Sequence, residues 1–290
     1  MLRTNGWLPW VYIGPAVLVL TVYLVYPTLN TLSLSFFGPD STHFVGLNNY
    51  ASVFTRPEML TAFKNNLLWL GLFTTMTVGL GLLIAVLADR LPYEALAKAV
   101  VFIPMSISFV AAGVIWKFIY EFKPLELEQI GLLNAIATAF PNGEPIAWLV
   151  NPTINNFALV VVGIWMWTGF AVVVLSAGLK GIPTEVLEAA RVDGASEWHI
   201  FWRITVPLLT PTIAVVATTL TINVLKVFDI VYVMTNGDYG TDVIANRMYK
   251  EMFNYQQFGH ASAIAVVLFL TIIPVMWFNI HRFRAQEQAQ

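Results

Sequence analysis

Long runs without a charged residue are the feature that most constrains this chain. No charged residue lies between Arg3 and Asp40, and none lies in residues 65–88. About 20 consecutive apolar residues are enough for a helix to cross the hydrocarbon of a bilayer. Only 11% of the residues are charged, whereas soluble domains carry roughly 25%, and the mean hydropathy is +0.71. We therefore predict an all-α integral membrane protein.

Six apolar segments, each bounded by charged or polar residues, predict six transmembrane helices in a single domain over residues 1–290. The predicted spans are Trp10–Leu32, Asn65–Ala88, Ala99–Trp116, Asn156–Leu179, Leu208–Met234 and Ala261–Ile280. The first run is longer than the roughly 7–15 apolar residues of a signal peptide, and no small-x-small site closes it. We expect it to be retained as a span. Six spans would place both termini on the same side of the membrane.

Two longer segments between the spans are expected on the opposite side from the termini. In residues 117–155, the stretch 127–140 has the pattern of a short amphipathic helix lying on the membrane surface. Residues 235–260 are expected to form an external loop.

A polar interruption, residues 182–207, divides the apolar C-terminal half. Pro183 suits the first position of a helix, where its missing N–H costs nothing. Gly194 suits the residue after a helix, because glycine adopts positive φ without steric cost. Ser196 can cap a second helix that begins near Glu197. This pattern predicts two short helices around a glycine corner, forming a compact knob suited to docking.

The same interruption resembles a known motif. Glu188-Ala189-Ala190, followed by Gly194 and then by Ile204 and Pro207, resembles the EAA loop of bacterial ABC importer permeases, although Val206 stands where that family usually has leucine. The flanking residues resemble the sugar-importing branch with the maltose, glycerol-phosphate and α-glucoside permeases at Trp165, Gly178-Leu179, Ile182-Pro183 and Asp193-Gly194-Ala195-Ser196.

The resemblance implies a type I ABC importer permease fold with residues 180–207 as a cytoplasmic coupling loop. The implied contacts with the ATP-binding subunit are Glu188, Ala189, Ala190, Arg191, Asp193 and Gly194. The alternative is an ordinary amphipathic loop, in which Glu188 and Arg191 form an ion pair on a solvated face.

The resemblance also implies partners and a location. The partners are a second permease subunit, two ATP-binding subunits and an extracytoplasmic sugar-binding protein, and the implied location is a bacterial or archaeal plasma membrane. Both termini would be cytoplasmic, and the excess of basic residues on the coupling-loop side agrees with that orientation. ATP and Mg²⁺ would belong to the partner subunits, and we expect this chain to bind no cofactor.

The sequence offers no support for catalysis by this chain. It contains no Gly-x-x-x-x-Gly-Lys-Ser/Thr motif, no Gly-x-Ser-x-Gly motif and no cysteine, and its four histidines lack metal-ligand spacing. We expect no catalytic residue and no metal site. The net charge of -2 argues against a nucleic-acid partner.

Polar and aromatic residues inside the predicted spans are candidates for the transport pathway. Lys226 and Asp229 are three residues apart, so on one helix they would share a face and could pair, either at the outer interface or at the mouth of a pathway. Trp165 and Trp167 could stack on a sugar ring or belong to the protein interior. Asn223 could bind a hydroxyl group or form a hydrogen bond between helices.

The resemblance to the sugar-importing branch implies a sugar as substrate, such as an α-glucoside, a disaccharide or glucose, and a neutral one is favoured because Lys226 is the one basic side chain among these residues. The alternative substrates are glycerol phosphate and other polyols. The alternative class is an autonomous secondary transporter, which would show discontinuous spans in symmetric positions and carboxylates near the midplane. A membrane enzyme would need a catalytic cluster, which the sequence does not offer.

Overall fold

The computed structural model describes residues 8–287, and within this range the protein is built from helices joined by loops. Phe37 and Phe44 form an isolated antiparallel β-bridge. The α-helices are α1 Leu8–Leu20, α2 Tyr26–Leu34, α3 Asn48–Thr55, α4 Pro57–Leu68, α5 Thr74–Ala88, α6 Glu94–Phe102, α7 Phe109–Ile119, α8 Leu132–Thr138, α9 Asn155–Lys180, α10 Thr184–Val192, α11 Glu197–Ile200, α12 Val206–Leu225, α13 Asp229–Met234, α14 Ile244–Tyr249 and α15 Phe258–Glu287.

Short π-helical turns join several of these helices into longer ones, so that five continuous helices are long and apolar enough to cross a membrane. Within the described residues, a bent pair of helices makes a sixth candidate when its two halves are counted as one span. The spans are span 1 Trp10–Leu34, span 2 Pro57–Ala88, span 3 Glu94–Ser106 with Phe109–Ile119, span 4 Asn155–Lys180, span 5 Glu197–Leu225 and span 6 Phe258–Val275. The predicted all-α membrane architecture is therefore confirmed.

Span 3 differs from the continuous helix predicted over Ala99–Trp116. Its two halves meet at an angle of 99°. The first half ends in a 3₁₀ turn that contains Pro104. The α-helix ends there because proline has no N–H to donate the hydrogen bond that would continue it. Ser108 then starts α7, and its hydroxyl oxygen accepts a hydrogen bond of 3.1 Å from the Ala111 N–H.

Span 5 also differs from its prediction, Leu208–Met234. The helix begins eleven residues earlier, at Glu197, and it ends at Leu225. Lys226 has φ −106° and ψ 12°, outside the helical region. A separate helix, α13, begins at Asp229. The prediction of one helix through Lys226 and Asp229 is wrong.

The Cα positions group the chain into two compact units. The first contains the described residues up to Leu60 together with Arg247–Leu270. Here a π-helical turn within the predicted external loop buries Glu251 to 1% exposure, where its carboxylate accepts a hydrogen bond of 3.0 Å from Arg247 Nε and pairs with the same guanidinium at 2.7 Å. That the loop is external stays a prediction. Burial acts to raise the pKa of Glu251, but the contact with His260 and then the charge and hydrogen bond of Arg247 hold that pKa below its ordinary value.

The second unit contains Thr61–Asn246 and the described residues from Thr271 onward, and span 4 forms its centre. Small residues let the neighbouring helices approach span 4 closely. A Cβ atom added at Gly169 would lie 2.6 Å from the Cα of Phe102, and one added at Gly178 would lie 2.7 Å from Leu209. Span 4 therefore contacts the first half of span 3 and the middle of span 5 at positions where no larger side chain fits.

The segment between spans 3 and 4 is folded against itself. Its helix α8 is shorter than the predicted 127–140, and it contains Asn134, which is fully buried. The amide nitrogen of Asn134 donates to the carbonyl of Glu121 at 2.9 Å, and its amide oxygen accepts from the Ile146 N–H at 2.8 Å. One side chain thus connects both flanks of the segment.

We predict that Gly169→Ala destabilises the protein, because the new methyl group would overlap the backbone of span 3. Overpacking of this kind costs about 1–3 kcal/mol. Gly79→Ala is the matched control, since no atom lies within 4 Å of its Cβ position. Thermal unfolding in detergent should show a lower midpoint for Gly169→Ala alone. Equal midpoints would mean that this contact does not limit stability.

Candidate functional site

A cavity of about 240 Å³ lies in the second unit, beside the break at the end of span 5. Helices from spans 2, 3, 4 and 5 and from α13 contribute to its wall. The lining residues are Trp69, Phe73, Phe109, Gly163, Trp167, Asn223, Val224, Lys226, Val227, Phe228, Asp229 and Ile230.

Asparagine side chains of span 2 satisfy backbone groups around the break. The Asn66 amide nitrogen donates to the Val224 carbonyl at 3.3 Å, and its oxygen accepts from the Ile244 N–H at 2.9 Å. Asn65 donates to the carbonyls of Gly240 and Asp242 at 2.8 Å and 2.7 Å. Non-helical backbone at membrane depth requires such partners, because hydrocarbon offers none. The backbone near the break is therefore held by specific side-chain hydrogen bonds.

Aromatic side chains form one wall of the cavity. Trp167 stacks with Phe109 at 6.3 Å between ring centroids and an angle of 27°. Trp69 and Phe73 lie four residues apart in a π-helical turn, so both face the same side of span 2. Trp69 is 1% exposed, and its ring N–H has no hydrogen-bond partner within the described residues.

Lys226 and Asp229 both border the cavity, but they do not form the predicted pair on one helix face. The helix that carries Asn223 ends before Lys226, and Asp229 begins the next helix. Within the described part of the chain no ion pair of 4 Å or less joins the two. Lys226 is exposed and Asp229 is half-buried. The Asn223 amide nitrogen donates to the Thr219 carbonyl at 2.8 Å, which is a hydrogen bond within its own helix and not one between helices.

Trp165 does not reach the cavity. Its ring packs edge-on against Trp116 at 5.7 Å, with an angle of 69° between the planes. Two residues along a helix correspond to a rotation of about 200°, which separates Trp165 from Trp167. Among the predicted pathway residues, the structure brings together Trp167, Asn223, Lys226 and Asp229.

Three aromatic residues line the cavity although they were not among the predicted pathway residues: Trp69, Phe73 and Phe109. Trp69 and Phe73 have the spacing of one helix face in a predicted span, which is a signal the sequence contained. Phe109 comes to the cavity only because span 3 bends before it, and the bend was not predicted.

The predicted coupling loop contains one helix that is separate from the spans, α10, which begins at Thr184. Gly194 follows it with φ +80°, as predicted. The Gly194 N–H donates to the Arg191 carbonyl and the Ala195 N–H donates to the Ala190 carbonyl, both at 3.0 Å. These two bonds form a Schellman motif, which ends a helix through a left-handed residue. Pro183 precedes α10 instead of occupying its first position.

The second predicted helix is not a separate element. Ser196 caps it as predicted, since its hydroxyl oxygen accepts from the His199 N–H at 3.3 Å. The helix that starts at Glu197 then continues through a π-helical turn into span 5. The glycine corner therefore joins α10 directly to the N-terminal end of span 5.

Charged and apolar side chains share the surface of this loop. The Arg191 guanidinium donates to Glu197 at 2.7 Å, so it links α10 to span 5 and does not form the alternative pair with Glu188. Val192 is 88% exposed and Trp198 is 73% exposed. Such apolar exposure is a feature of docking surfaces.

The predicted coupling residues differ in accessibility. Ala190 is buried at 9% exposure, and it faces the protein interior. The exposed ones are Glu188, Ala189, Arg191, Asp193 and Gly194. Their role in contacting an ATP-binding subunit stays a prediction.

The helical spans, the cavity beside a broken helix and the exposed corner loop define a membrane component of a transport system. The chain belongs to the family described as "Binding-protein-dependent transport system inner membrane component", which matches residues 57–284. It is thus a multi-pass protein of the inner membrane, and the predicted ABC permease family is confirmed.

Two relatives match nearly the whole chain. The osmoprotective compounds uptake permease protein GgtC of Synechocystis sp. is 58% identical over 277 residues, covering 96% of this chain and 99% of its own. The alpha-glucoside transport system permease protein AglF of Rhizobium meliloti is 50% identical over 277 residues, covering 95% of this chain and 82% of its own.

A solved structure of an ABC transporter confirms the predicted permease fold. The chain superposes with a TM-score of 0.82 on one from a bacterial ABC transporter involved in the import of the acidic polysaccharide alginate. The two chains are 23% identical, and 96% of each is covered.

We predict that Gly194→Val loosens the corner between α10 and span 5, whereas Gly194→Asn is tolerated. A branched side chain at positive φ costs roughly 1–2 kcal/mol, and asparagine adopts this conformation more readily. Hydrogen exchange of the Gly194-to-Ser196 amides should accelerate about 5- to 30-fold in the valine variant. Equal exchange in both variants would contradict a strained corner.

Proposed function

We propose that this chain is the transmembrane permease subunit of an ATP-driven importer that takes up a neutral sugar, such as an α-glucoside, a disaccharide or glucose. The observation that carries the proposal is the cavity at the end of span 5, with its aromatic wall and its polar residues Asn223, Lys226 and Asp229.

The chemistry of the cavity suits an uncharged sugar. The half-buried rings of Trp167 and Phe109 offer flat apolar surface for the C–H face of a sugar ring, and the polar side chains offer partners for hydroxyl groups. The positive charge of Lys226 is balanced by Asp229, so the wall has no excess of positive charge for glycerol phosphate. The name of AglF, an alpha-glucoside permease, supports the same substrate class.

Coupling to ATP would enter through the corner loop. Span 5 runs without interruption for 29 residues from Glu197 to Leu225, which is about 43 Å at about 1.5 Å per residue. Its inner end adjoins the exposed α10, and its outer end adjoins the cavity. A movement imposed on α10 by an ATP-binding subunit would therefore reach the cavity wall through one rigid helix.

The proposed assembly contains a second permease subunit, two ATP-binding subunits that hold ATP and Mg²⁺, and an extracytoplasmic sugar-binding protein. The exposed Glu188, Ala189, Asp193 and Gly194 would contact the ATP-binding subunit, together with Arg191, while Ala190 would support α10 from within. The family description and the alginate transporter solved with its pentasaccharide-bound periplasmic protein support such partners.

An autonomous secondary transporter is the alternative class. The structure contains two features expected of it, since span 3 is discontinuous and Asp229 borders the cavity. Membership of a binding-protein-dependent family and the exposed corner loop favour the ATP-driven importer.

We predict that Trp167→Leu lowers sugar uptake, because it removes an aromatic face from the cavity. An aromatic contact is worth about 0.5–1.5 kcal/mol, so uptake should fall roughly 2- to 10-fold. Trp165→Leu is the matched control, since it alters the same helix away from the cavity. The initial uptake of radiolabelled trehalose and maltose would be measured in proteoliposomes containing the complete transporter. Equal loss in both variants, or uptake of glycerol phosphate alone, would contradict the proposed pathway.

We predict that both termini and the corner loop are cytoplasmic, and that residues 117–155 face outward. Single cysteines would be introduced at Glu126 and Glu197, which are both exposed in a chain with no cysteine of its own. An impermeant maleimide applied to intact cells should label Glu126→Cys, whereas Glu197→Cys should react only after permeabilisation. The opposite labelling would reverse the topology.

A further inference from the structure

An ionic cluster joins the ends of spans 2, 3 and 4 in the second unit. At its centre, the Lys98 ammonium contacts Asp89 at 2.6 Å, and it also contacts Glu94 and the Ser176 hydroxyl. Ser176 in turn donates to Asp89 at 2.7 Å. The side chain of Lys98 is only 14% exposed, so this centre is largely shielded from water.

Lys180 is the outlying member of the cluster. Its ammonium group lies 2.5 Å from the Glu94 carboxylate, and its side chain is 59% exposed. Exposed ion pairs contribute little to folding stability. Because Lys98 already pairs with Glu94, the Lys180 contact adds a connection between elements more than it adds stability.

The connection lies at the base of the coupling loop. Lys180 is the last residue of span 4, and α10 starts four residues later at Thr184. Glu94 is the first residue of span 3. Span 3 is also held to span 4 at the contact between Gly169 and Phe102, so its first half is fixed to span 4 at two heights.

The second half of span 3 reaches the cavity. Helix α7 packs on α13 at Gly113, where an added Cβ would lie 3.1 Å from the Val233 side chain. Phe109 of α7 and Ile230 of α13 both line the cavity. Span 3 therefore forms a second physical connection from the coupling loop to the cavity, separate from span 5.

We propose that the ion pair between Lys180 and Glu94 is a positioning contact that makes span 3 move together with the coupling loop. This rests on the proposed ATP-driven import. The pair contacts no substrate; it keeps the start of span 3 in register with α10 when the ATP-binding subunits close. Without it, Lys98 and Phe102 still hold span 3 to the body of span 4, but the end of span 4 that leads into α10 is no longer tied to the start of span 3. The subunits then move α10 and span 5, while the part of the cavity wall carried by span 3 lags behind.

The test uses the complete transporter with Lys180→Gln and, as a conservative substitution, Lys180→Arg. Lys123→Gln is the matched control, since it removes another half-exposed ion pair, with Glu121 at 3.5 Å, in the segment between spans 3 and 4. Spin labels on cysteines at Ala95 and Thr184 report the distance from the start of span 3 to α10. The distance would be measured without nucleotide and after trapping with ATP and vanadate.

We expect the label distance to be the same in both states for the wild type, Lys180→Arg and Lys123→Gln. In Lys180→Gln the distance should change on trapping, and trehalose or maltose imported per ATP hydrolysed should fall roughly two- to five-fold. The midpoint of thermal unfolding should not change. A constant distance in Lys180→Gln, or a distance that changes in the wild type, would overturn the inference.

Two controls separate this inference from the proposed function. If the wild-type chain neither assembles with ATP-binding subunits nor imports neutral α-glucosides with ATP, the proposed function fails. If the wild-type complex imports the sugar and Lys180→Gln imports as much per ATP, only the role of the ion pair fails. A parallel loss of thermal midpoint and uptake would show that the contact is structural.

Discussion

The hydrogen bonds of Asn66 are the interactions on which the candidate site depends. A helix that ends within an apolar protein leaves carbonyl groups without partners, and each such group is costly away from water. Asn66 donates to Val224 near the end of span 5 and accepts from Ile244 beyond the break. Asn65, the preceding residue, donates to the carbonyls of Gly240 and Asp242. The two asparagines together supply hydrogen-bond partners to the backbone near the break between span 5 and α13. The cavity exists because span 5 can stop at Leu225.

Span 4 gives the same site its rigidity. Its glycines let neighbouring helices approach to distances that any side chain would prevent. In its 18-residue apolar segment, 61% of the residues are buried. Gly163 meets the Trp69 ring, and Gly169 meets span 3. The aromatic wall is thereby held against a packed helix, while span 5 remains continuous from the corner loop to the cavity. This division suits a transporter in which one part holds the substrate and another transmits movement.

Much of the architecture could be predicted because the bilayer imposes simple rules on sequence. Charge-free runs identified the spans, and the position of Gly194 in a polar interruption identified a corner that has positive φ. The breaks were harder to predict. Pro104 signalled the bend in span 3, but prolines also occur in continuous membrane helices. The break after Leu225 has no proline or glycine and depends on asparagines about 160 residues away in sequence.

The candidate site was predictable to a similar extent. Trp167, Asn223, Lys226 and Asp229 are unusual in apolar spans, and all four border the cavity. Their arrangement was not predictable, because Lys226 and Asp229 were expected on one helix and lie on either side of its end. Trp165 looked equivalent to Trp167 in sequence, but the rotation of the helix directs it to Trp116.

The central claim is that the transported sugar passes through the cavity at the end of span 5. A single cysteine at Asn223 tests it most directly, because the chain has no other cysteine and Asn223 lines the cavity without closing it. The rate of modification by a small methanethiosulfonate would be measured in the complete transporter, with and without the sugar-loaded binding protein. We expect trehalose or maltose to slow the modification of Asn223→Cys under ATP-trapped conditions, and glycerol phosphate to leave the rate unchanged. Modification at the same rate under all these conditions would contradict the claim.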